Sequence, residues 1–420
     1  MSFSKIGSLL VSVLLASLVI GQVLRFPLPG QGGGLLISDL AVVIILISAL
    51  ISLIFNTKKL PVTSYQLLVT ITPFILWSLF TLIIRVPELG LPNSAVAFAY
   101  WSRLAAHLLL LPALLILFQD ARIAATARRG LIITTTILIL LGFLQLWLVP
   151  DFSTLTKLGW DPHQNRLTST WLDPNFFGAF LAIMLPFIII RTTRQACPPK
   201  LQRRWNPSLL LVLVALIIIA LLLTQSRSAL IALTLSTLIF SPLIIARALH
   251  RVTRARLVAA ISSLLLILLL LGSAAFLLHD RLVGIVILDA TARLRLDALK
   301  EVWPLAEQHA LLGVGYNAYQ FAAAKAGLIS DFNIHSRAGA DNSLLTLWIT
   351  TGLIGVILFF FPWAFIMLRT RSLLVLFSFT TLLIHSQFVN SFLYSHLLIT
   401  LIVITALALT AGNKSKFLDL

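Results

Sequence analysis

Residues 208–224 read SLLLVLVALIIIALLLT, a run without any charged side chain. An α-helix rises about 1.5 Å per residue, so roughly 20 apolar residues cross the ~30 Å hydrocarbon core of a bilayer. Runs of this kind recur along the whole chain, which is 59% hydrophobic and 11% charged. In lipid every backbone polar group has to be paired within its own segment, which favours helices. The sequence therefore predicts an all-α integral membrane protein.

The apolar runs predict about twelve transmembrane helices. Their bounds are 6–25, 35–55, 65–84, 96–118, 130–149, 172–190, 208–224, 229–246, 257–278, 342–367, 372–391 and 396–411. The chain then divides into spans one to nine (1–278), a large connection (279–341), and spans ten to twelve with a short tail (342–420). The first run lacks the small-residue cleavage site of a signal peptide, so we expect it to be retained.

The charge distribution predicts the orientation in the membrane. The chain has 31 Lys and Arg against 14 Asp and Glu, a net charge of +17. Most of the excess lies in alternate connections, such as 128–129, 200–204 and 251–256. Connections rich in Lys and Arg stay on the cytoplasmic side of a membrane. We therefore expect both termini in the cytoplasm, the connection 279–341 on the other side, contacts with membrane lipid, and no nucleic-acid partner.

The connection 279–341 has a helical pattern of its own. Apolar residues from Leu294 to Trp303 recur at helical spacing and predict an amphipathic helix over 291–308. Its apolar stripe would rest on the membrane surface or cap a cavity. Gly313 follows this helix, and a second short helix is expected over 316–326.

Arginines on the outer side are the first candidates for ligand binding. Arg227 lies in the polar stretch TQSRS (224–228) between two apolar helices. A guanidinium presents a fork of donors that suits phosphate oxygens, although it can also reach the interface without a ligand. Arg166, Arg293 and Arg295 lie on the same side and are either ligand contacts or solvated surface charges. Together these arginines suit an amphiphile with a diphosphate head.

Other polar residues allow two interpretations each. Arg103 and His107 share one face of span four and form either a buried pair or a ligand contact. Asp341 and His335 can act as a general base, while Asp341 with Asn342 can also cap the following helix. The further candidates for substrate binding are Asp173, Asn175, Ser226, Arg337 and Asn342. The chain has no zinc-ligand spacing and no phosphate-binding glycine loop, so we expect no metal and no cofactor.

Four segments occur in an order that is similar to a known family. They are the stretch from Arg166 to Pro186, then TQSRSA (224–229), then Arg295 followed by LLGVG (311–315), and last DNSLL (341–345) followed by TGLIG (351–355). In this order they resemble the O-antigen ligase and O-antigen polymerase superfamily of bacterial envelope enzymes. The resemblance covers about 166–360, whereas the first 150 residues match only as apolar helices.

This resemblance implies a function. Members have ten to fourteen spans and a large periplasmic loop, and lie in the inner membrane. They transfer a glycan from undecaprenyl diphosphate to an acceptor hydroxyl, without metal, in lipopolysaccharide or other envelope polysaccharide biosynthesis. The acceptor is a glycan in a polymerase and lipid A-core in a ligase. The resemblance implies that Arg227 and Arg295 hold the diphosphate, and the pattern of outer arginines adds Arg166 as a further diphosphate contact.

At one position the chain departs from the family. Many ligases have His immediately before Asn where this chain has Asp341, so the base is Asp341 or else His335. A transporter or flippase of a polyprenyl-linked or other amphiphilic solute is the alternative function. It would show internal repeats and ionisable groups near the midplane, often in broken helices. The chain has no visible repeat, but the pair Arg103 and His107, and His385 with Gln387, keep this alternative open.

Overall fold

A computed structural model describes residues 3–27, 34–55, 60–193, 207–251, 290–328, 339–370 and 372–412, together with Gly272. Within these residues the helices are α1 (Phe3–Ile20), α2 (Ile37–Phe55), α3 (Val62–Ile83), α4 (Val86–Leu117), α5 (Ala121–Leu148), α6 (Pro174–Thr193), α7 (Pro207–Thr224), α8 (Arg227–Arg251), α9 (Ala290–Gln308), α10 (Tyr319–Lys325), α11 (Ser343–Arg369), α12 (Leu373–His385) and α13 (Ser395–Gly412). Strands β1 (Arg25–Pro27) and β2 (Gly34–Leu36) pair antiparallel, with Arg25 opposite Leu36.

The helices confirm a multi-pass helical membrane protein. Within the described residues six of them, α1 to α5 and α11, are long and apolar enough to cross a bilayer. Shorter apolar stretches lie in α6, α7, α8, α12 and α13. The number of twelve spans stays a prediction, because the ninth, 257–278, lies outside the described residues except for Gly272.

Several predicted boundaries differ from the structure, and one of them is the start of α5 at Ala121, ahead of the predicted residue 130. Helix α4 begins at Val86, ahead of the predicted start of span four at residue 96, because a first helical turn precedes a kink at Gly90. Helix α12 ends at His385, whereas span eleven was predicted to reach residue 391. The residues after His385 form turns, which hydropathy does not distinguish from a span. The helix predicted over 291–308 corresponds to α9.

The centre of the bundle is formed by α6 and α13. Almost every residue of α6 from Phe177 to Ile188 is buried, and so is almost every residue of α13 from Leu397 to Leu407. A helix that is apolar on all sides is expected in the interior of a bundle. Helix α6 packs on α7, α8 and α12, whereas α13 packs on α4. The start of α6 lies against the turn between α7 and α8, since a Cβ atom at Gly178 would meet Thr224, Ser226 and Ala229.

Helix α11 is broken at Gly352, where φ is 68° and ψ is 176°. In an unbroken helix the carbonyl groups of Ile349 and Thr350 would accept hydrogen bonds from the N–H groups four residues later. At this break, Val314 N donates to Ile349 O at 2.8 Å and Gly315 N donates to Thr350 O at 3.0 Å. The segment after α9 therefore replaces the hydrogen-bond donors that these carbonyl groups lose at the break.

Two more hydrogen bonds complete the repair of α11. Leu353 N donates to Ala310 O at 2.8 Å, and Trp77 Nε1 of α3 donates to Thr351 O at 2.8 Å. A Cβ atom at Gly352 would overlap the backbone of Leu311, because the two chains cross in direct backbone contact. The glycines of the two motifs LLGVG and TGLIG thus belong to one packing arrangement, which attaches the outer connection to the bundle.

We expect Gly352→Ala to destabilise the protein much more than Gly90→Ala. Both glycines have φ near +70° within a helix, but a Cβ at Gly90 has no neighbour nearer than Pro92 Cδ at 4.0 Å. Gly90→Ala would cost the backbone strain alone, about 1–3 kcal/mol, and Gly352→Ala would add the overlap with Leu311. Melting temperatures of the two purified variants in detergent measure the difference, and equal melting temperatures would contradict the proposed packing.

Candidate functional site

Arg166 joins two of the predicted segments. Its Nε donates to Thr224 O at 2.9 Å and its Nη2 to Gln225 O at 3.4 Å. These carbonyl groups belong to the C-terminal end of α7, where a positive charge is favourable because the helix dipole places partial negative charge there. A backbone bond from Leu167 N to Leu223 O, 3.0 Å long, holds the same two chains together. The structure therefore places Arg166 beside the turn that carries Arg227.

The turn between α7 and α8 presents Arg227 at a helix start. Gln225 has a left-handed backbone, with φ of 50°, which reverses the chain. Ser226 caps α8, since its Oγ accepts from Ala229 N at 3.3 Å. Arg227 is the first residue of α8 and is half-buried. The backbone N–H groups of a first helical turn and the helix dipole favour an anion at such a position.

Asp173 and Asn175 form the start of α6. Asp173 Oδ1 accepts from Asn175 N at 2.7 Å and from Phe176 N at 3.1 Å, which is the geometry of a helix cap. Asn175 Oδ1 accepts from Arg166 Nη2 at 3.2 Å and from Ser226 Oγ at 3.1 Å. Asn175 is therefore the residue through which Arg166 and the TQSRS turn share one hydrogen-bond network.

The start of α11 is tied to the end of α12. Asn342 Oδ1 accepts from Leu344 N at 2.8 Å and from Leu345 N at 3.1 Å, so Asn342 caps α11. Its Nδ2 donates to Gln387 O at 3.3 Å, and Ser343 N donates to Ser386 O at 2.9 Å. These bonds fix the position of the DNSLL segment relative to α12.

Asp341 lies on the surface next to this cap. Its side chain is exposed, whereas Tyr319 of α10 is buried. Burial, reinforced by the negative charge of Asp341, raises the pKa of Tyr319 to about 12. The carboxylate of Asp341 therefore lies near α10 and is open to solvent. His335 and Arg337 lie outside the described residues.

Helix α9 packs its apolar side on the N-terminal part of α11. Val302 of α9 is buried with Ile349 of α11, and Trp303 meets Trp348 edge to face, with 5.2 Å between ring centroids. The sequence left open whether this apolar stripe rests on the membrane surface or caps a cavity. The contacts that the structure describes for it are with α11 of the bundle. Arg293 is exposed, and the side chain of Arg295 lies outside what the structure describes.

These segments are also matched by a known family. A protein-family model described as O-antigen ligase (Wzy_C) matches residues 211–360. The resemblance to this superfamily is confirmed. The matched segment contains the TQSRS turn, the LLGVG crossing and the start of α11. No curated protein was found to match the chain.

Arg103 lies outside the family segment and has an acidic partner. Its Nη2 is 2.7 Å from Asp39 Oδ2 of α2, and it also donates to Gly34 O. His107 Nδ1 donates to Arg103 O at 2.6 Å. Asp39 further accepts from Leu36 N at 2.8 Å, which fixes the β1–β2 hairpin on α2. This geometry favours the structural interpretation of Arg103, and sequence reasoning missed Asp39.

A group of three side chains near Arg166 has metal-ligand chemistry. Among the described residues, the potential ligand atoms of Asp161, His163 and Asp173 lie within 4.8 Å of one another. Burial, together with the positive charge of Arg166, lowers the pKa of His163 to about 4. His163 is therefore neutral at pH 7. The expectation of a site without metal stays a prediction.

We expect Asn342→Ala to lower the melting temperature more than Asn342→Asp does. An Asp at the cap keeps an oxygen for Leu344 N and Leu345 N, whereas Ala loses a cap worth about 1 kcal/mol. Asn93→Ala, which removes a bond from Nδ2 to Leu89 O within α4, is the matched control. Equal destabilisation by Ala and Asp would instead show that the amide bond to Gln387 carries the stability.

Proposed function

We propose that this protein is a membrane glycosyltransferase of the O-antigen ligase or polymerase type, acting on the periplasmic side of the bacterial inner membrane. It moves a glycan from undecaprenyl diphosphate to an acceptor hydroxyl, on a growing glycan or on lipid A-core. The observation that carries the proposal is the hydrogen-bond network shared by Arg166, Asn175 and the turn of Arg227. The turn lies inside the family segment 211–360, and the other two residues precede it.

The arginines account for donor binding. Arg227 is held at the first turn of α8, and Arg166 lies across the turn at the end of α7. Guanidinium groups pair with phosphate oxygens through two parallel hydrogen bonds. Arg295, on α9, would complete the site from the outer connection. Because negative charge builds up on the diphosphate as the glycosidic bond breaks, fixed donors of this kind stabilise the leaving group.

The acceptor reacts on the open side of the site. Its hydroxyl oxygen attacks the anomeric carbon, the bond from that carbon to the diphosphate oxygen breaks, and undecaprenyl diphosphate leaves. Asp341 takes the hydroxyl proton, with His335 as the alternative base. The exposure of Asp341 at the start of α11 supports this assignment, because an acceptor can approach it from solvent. The reaction as proposed uses no metal.

Several contacts favour transfer over transport. A transporter uses the free carbonyl groups of a broken helix to bind its solute. In α11 the carbonyl groups of Ile349, Thr350 and Thr351 accept from the protein itself. Arg103, which the transporter hypothesis invoked, is paired with Asp39. These groups are engaged in holding the fold.

We expect Arg227→Ala and Arg295→Ala to reduce release of undecaprenyl diphosphate from a lipid-linked glycan donor. Loss of one donor to a developing anion costs about 10²–10³ in turnover. Arg227→Lys keeps the positive charge but loses the paired donors of the guanidinium group. Its rate of undecaprenyl diphosphate release should therefore lie between those of the unchanged protein and Arg227→Ala. Arg122→Ala, at the exposed start of α5, is the matched control. Full activity of the alanine variants at equal protein level would refute the diphosphate assignment.

We expect Asp341→Asn to slow transfer while donor binding stays unchanged. Removal of a general base typically costs about 10²–10⁴ in rate. Single-turnover transfer and the equilibrium affinity for the donor are measured separately on the same preparation. An equal loss in both quantities would show that Asp341 supports the start of α11 rather than the chemistry.

A further inference from the structure

His385, the last residue of α12, lies outside the family segment and outside every role assigned above. It is fully buried. Its Nε2 is 3.1 Å from Ser228 Oγ, and its Nδ1 is 2.6 Å from Ser391 Oγ. Ser228 Oγ in turn lies 3.2 Å from Ser226 Oγ. A continuous polar chain therefore runs from Ser391 through His385 to the turn that carries Arg227.

The direction of each hydrogen bond in this chain follows from the groups at its far end. Arg166 can only donate, so the Asn175 atom that it contacts is the carbonyl oxygen Oδ1. Ser226 Oγ contacts the same oxygen and must donate its single proton there. Ser226 Oγ can then only accept from the next hydroxyl group in the chain.

The same reasoning fixes the tautomer of His385. Ser228 Oγ donates to Ser226 Oγ, so it must accept from His385 Nε2. A neutral His385 therefore carries its proton on Nε2, and its Nδ1 accepts from Ser391 Oγ. All donors in the chain point towards the Asn175 carbonyl group, where Arg166 also donates. Ser391 Oγ also lies 3.3 Å from Val389 O. Its contact with His385 Nδ1 is much shorter, at 2.6 Å, so we assign the Ser391 proton to Nδ1.

This chain of hydrogen bonds holds the two sequence neighbours of Arg227 in place. Ser226 and Ser228 flank this residue, and both are buried. An unsatisfied buried hydroxyl is costly, so these serines keep their positions while His385 donates to the chain. The next residue, Ser386, accepts from Ser343 N and so fixes the start of α11 as well. The end of α12 therefore contacts both halves of the proposed active site.

We propose that His385 is a positioning residue that sets Arg227 for diphosphate binding through the hydrogen bond from its Nε2 to Ser228. This inference rests on the proposed function, because it assigns the purpose of the network at that same site. The competing explanation is that His385 merely fills space in the core. The two explanations differ in which substitutions of His385 restore binding.

The test replaces His385 with Gln, Asn or Ala and measures the affinity of the purified protein in nanodiscs for undecaprenyl diphosphate. Gln carries an amide donor where Nε2 stood, whereas the shorter Asn reaches only the position of Nδ1. We expect His385→Ala and His385→Asn to weaken binding about tenfold, which is the effect of one lost buried hydrogen bond. His385→Gln should bind within about threefold of the unchanged protein, and kcat for transfer should follow the same order.

A second histidine supplies the control. His396 of α13 is also fully buried, and within the described residues neither of its ring nitrogens has a hydrogen-bond partner. His396→Gln should leave diphosphate affinity unchanged. If His385→Ala does not fold, Ser228→Ala and Ser228→Thr test the same bond from the other side. Thr keeps the hydroxyl group, so only the Ala variant should lose affinity.

The outcomes separate this inference from the function on which it rests. If the unchanged protein binds undecaprenyl diphosphate and Arg227→Ala does not, the diphosphate site stands. Wild-type affinity in all His385 variants would then overturn the positioning role alone. Equal loss in the Gln, Asn and Ala variants at unchanged melting temperature would overturn it too, since the Nε2 donor would be irrelevant. If the unchanged protein neither binds nor releases undecaprenyl diphosphate, both proposals fail.

Discussion

The break of α11 at Gly352 is the constraint on which the attachment of α9 and the segment 310–315 to the bundle depends. Inside a membrane a backbone carbonyl group without a donor costs several kcal/mol, so a helix can break there only where another segment supplies donors. The segment 310–315 and Trp77 supply them. The segment 310–315 crosses α11 with the two backbones in direct contact. A Cβ atom would meet the opposite backbone at Gly313 and at Gly352, which explains the glycine at each position. The break and the outer connection therefore have to form together.

This attachment determines where the proposed acceptor side lies. The segment 310–315 follows α9 directly, so its contacts with α11 hold α9 over the N-terminal part of that helix. The start of α11, with Asp341 and its cap Asn342, belongs to the same part. The other side of the site is independent of the break, since Arg166 and the turn of Arg227 are held by α6 and α7. The two sides meet at the end of α12.

Hydropathy predicts most of this fold because a span needs only length and an apolar surface, both of which are visible in the sequence. The apolar runs at 208–224 and 342–367 each correspond to a helix in the structure. The ends of the helices are less predictable. Polar caps such as Asp173 compete with hydropathy, and the turns after His385 look apolar. The break at Gly352 was also missed, since its energy comes from a partner segment forty residues earlier in the chain.

The candidate site was predictable in its residue types but not in its pairings. Several arginines on the outer side suggested an anionic lipid, and Arg166 and Arg227 do lie at one turn. Nothing local indicates that Arg103 pairs with Asp39, because the partner lies on another helix. The role of Asn175 as the shared acceptor of Arg166 and Ser226 depends on the same kind of distant contact.

The family segment does not contain the whole of the proposed site. Residues 211–360 supply the turn of Arg227 and the broken helix, but Arg166 and Asn175 precede the segment and His385 follows it. Arg166 satisfies the carbonyl end of α7, and His385 satisfies the serines at the start of α8. Since buried groups of this kind are costly without their partners, the matched segment alone would leave both helix ends unsatisfied. The turn of Arg227 therefore requires the flanking helices α6 and α12, whereas the division of the chain at 278 and 341 stays a prediction.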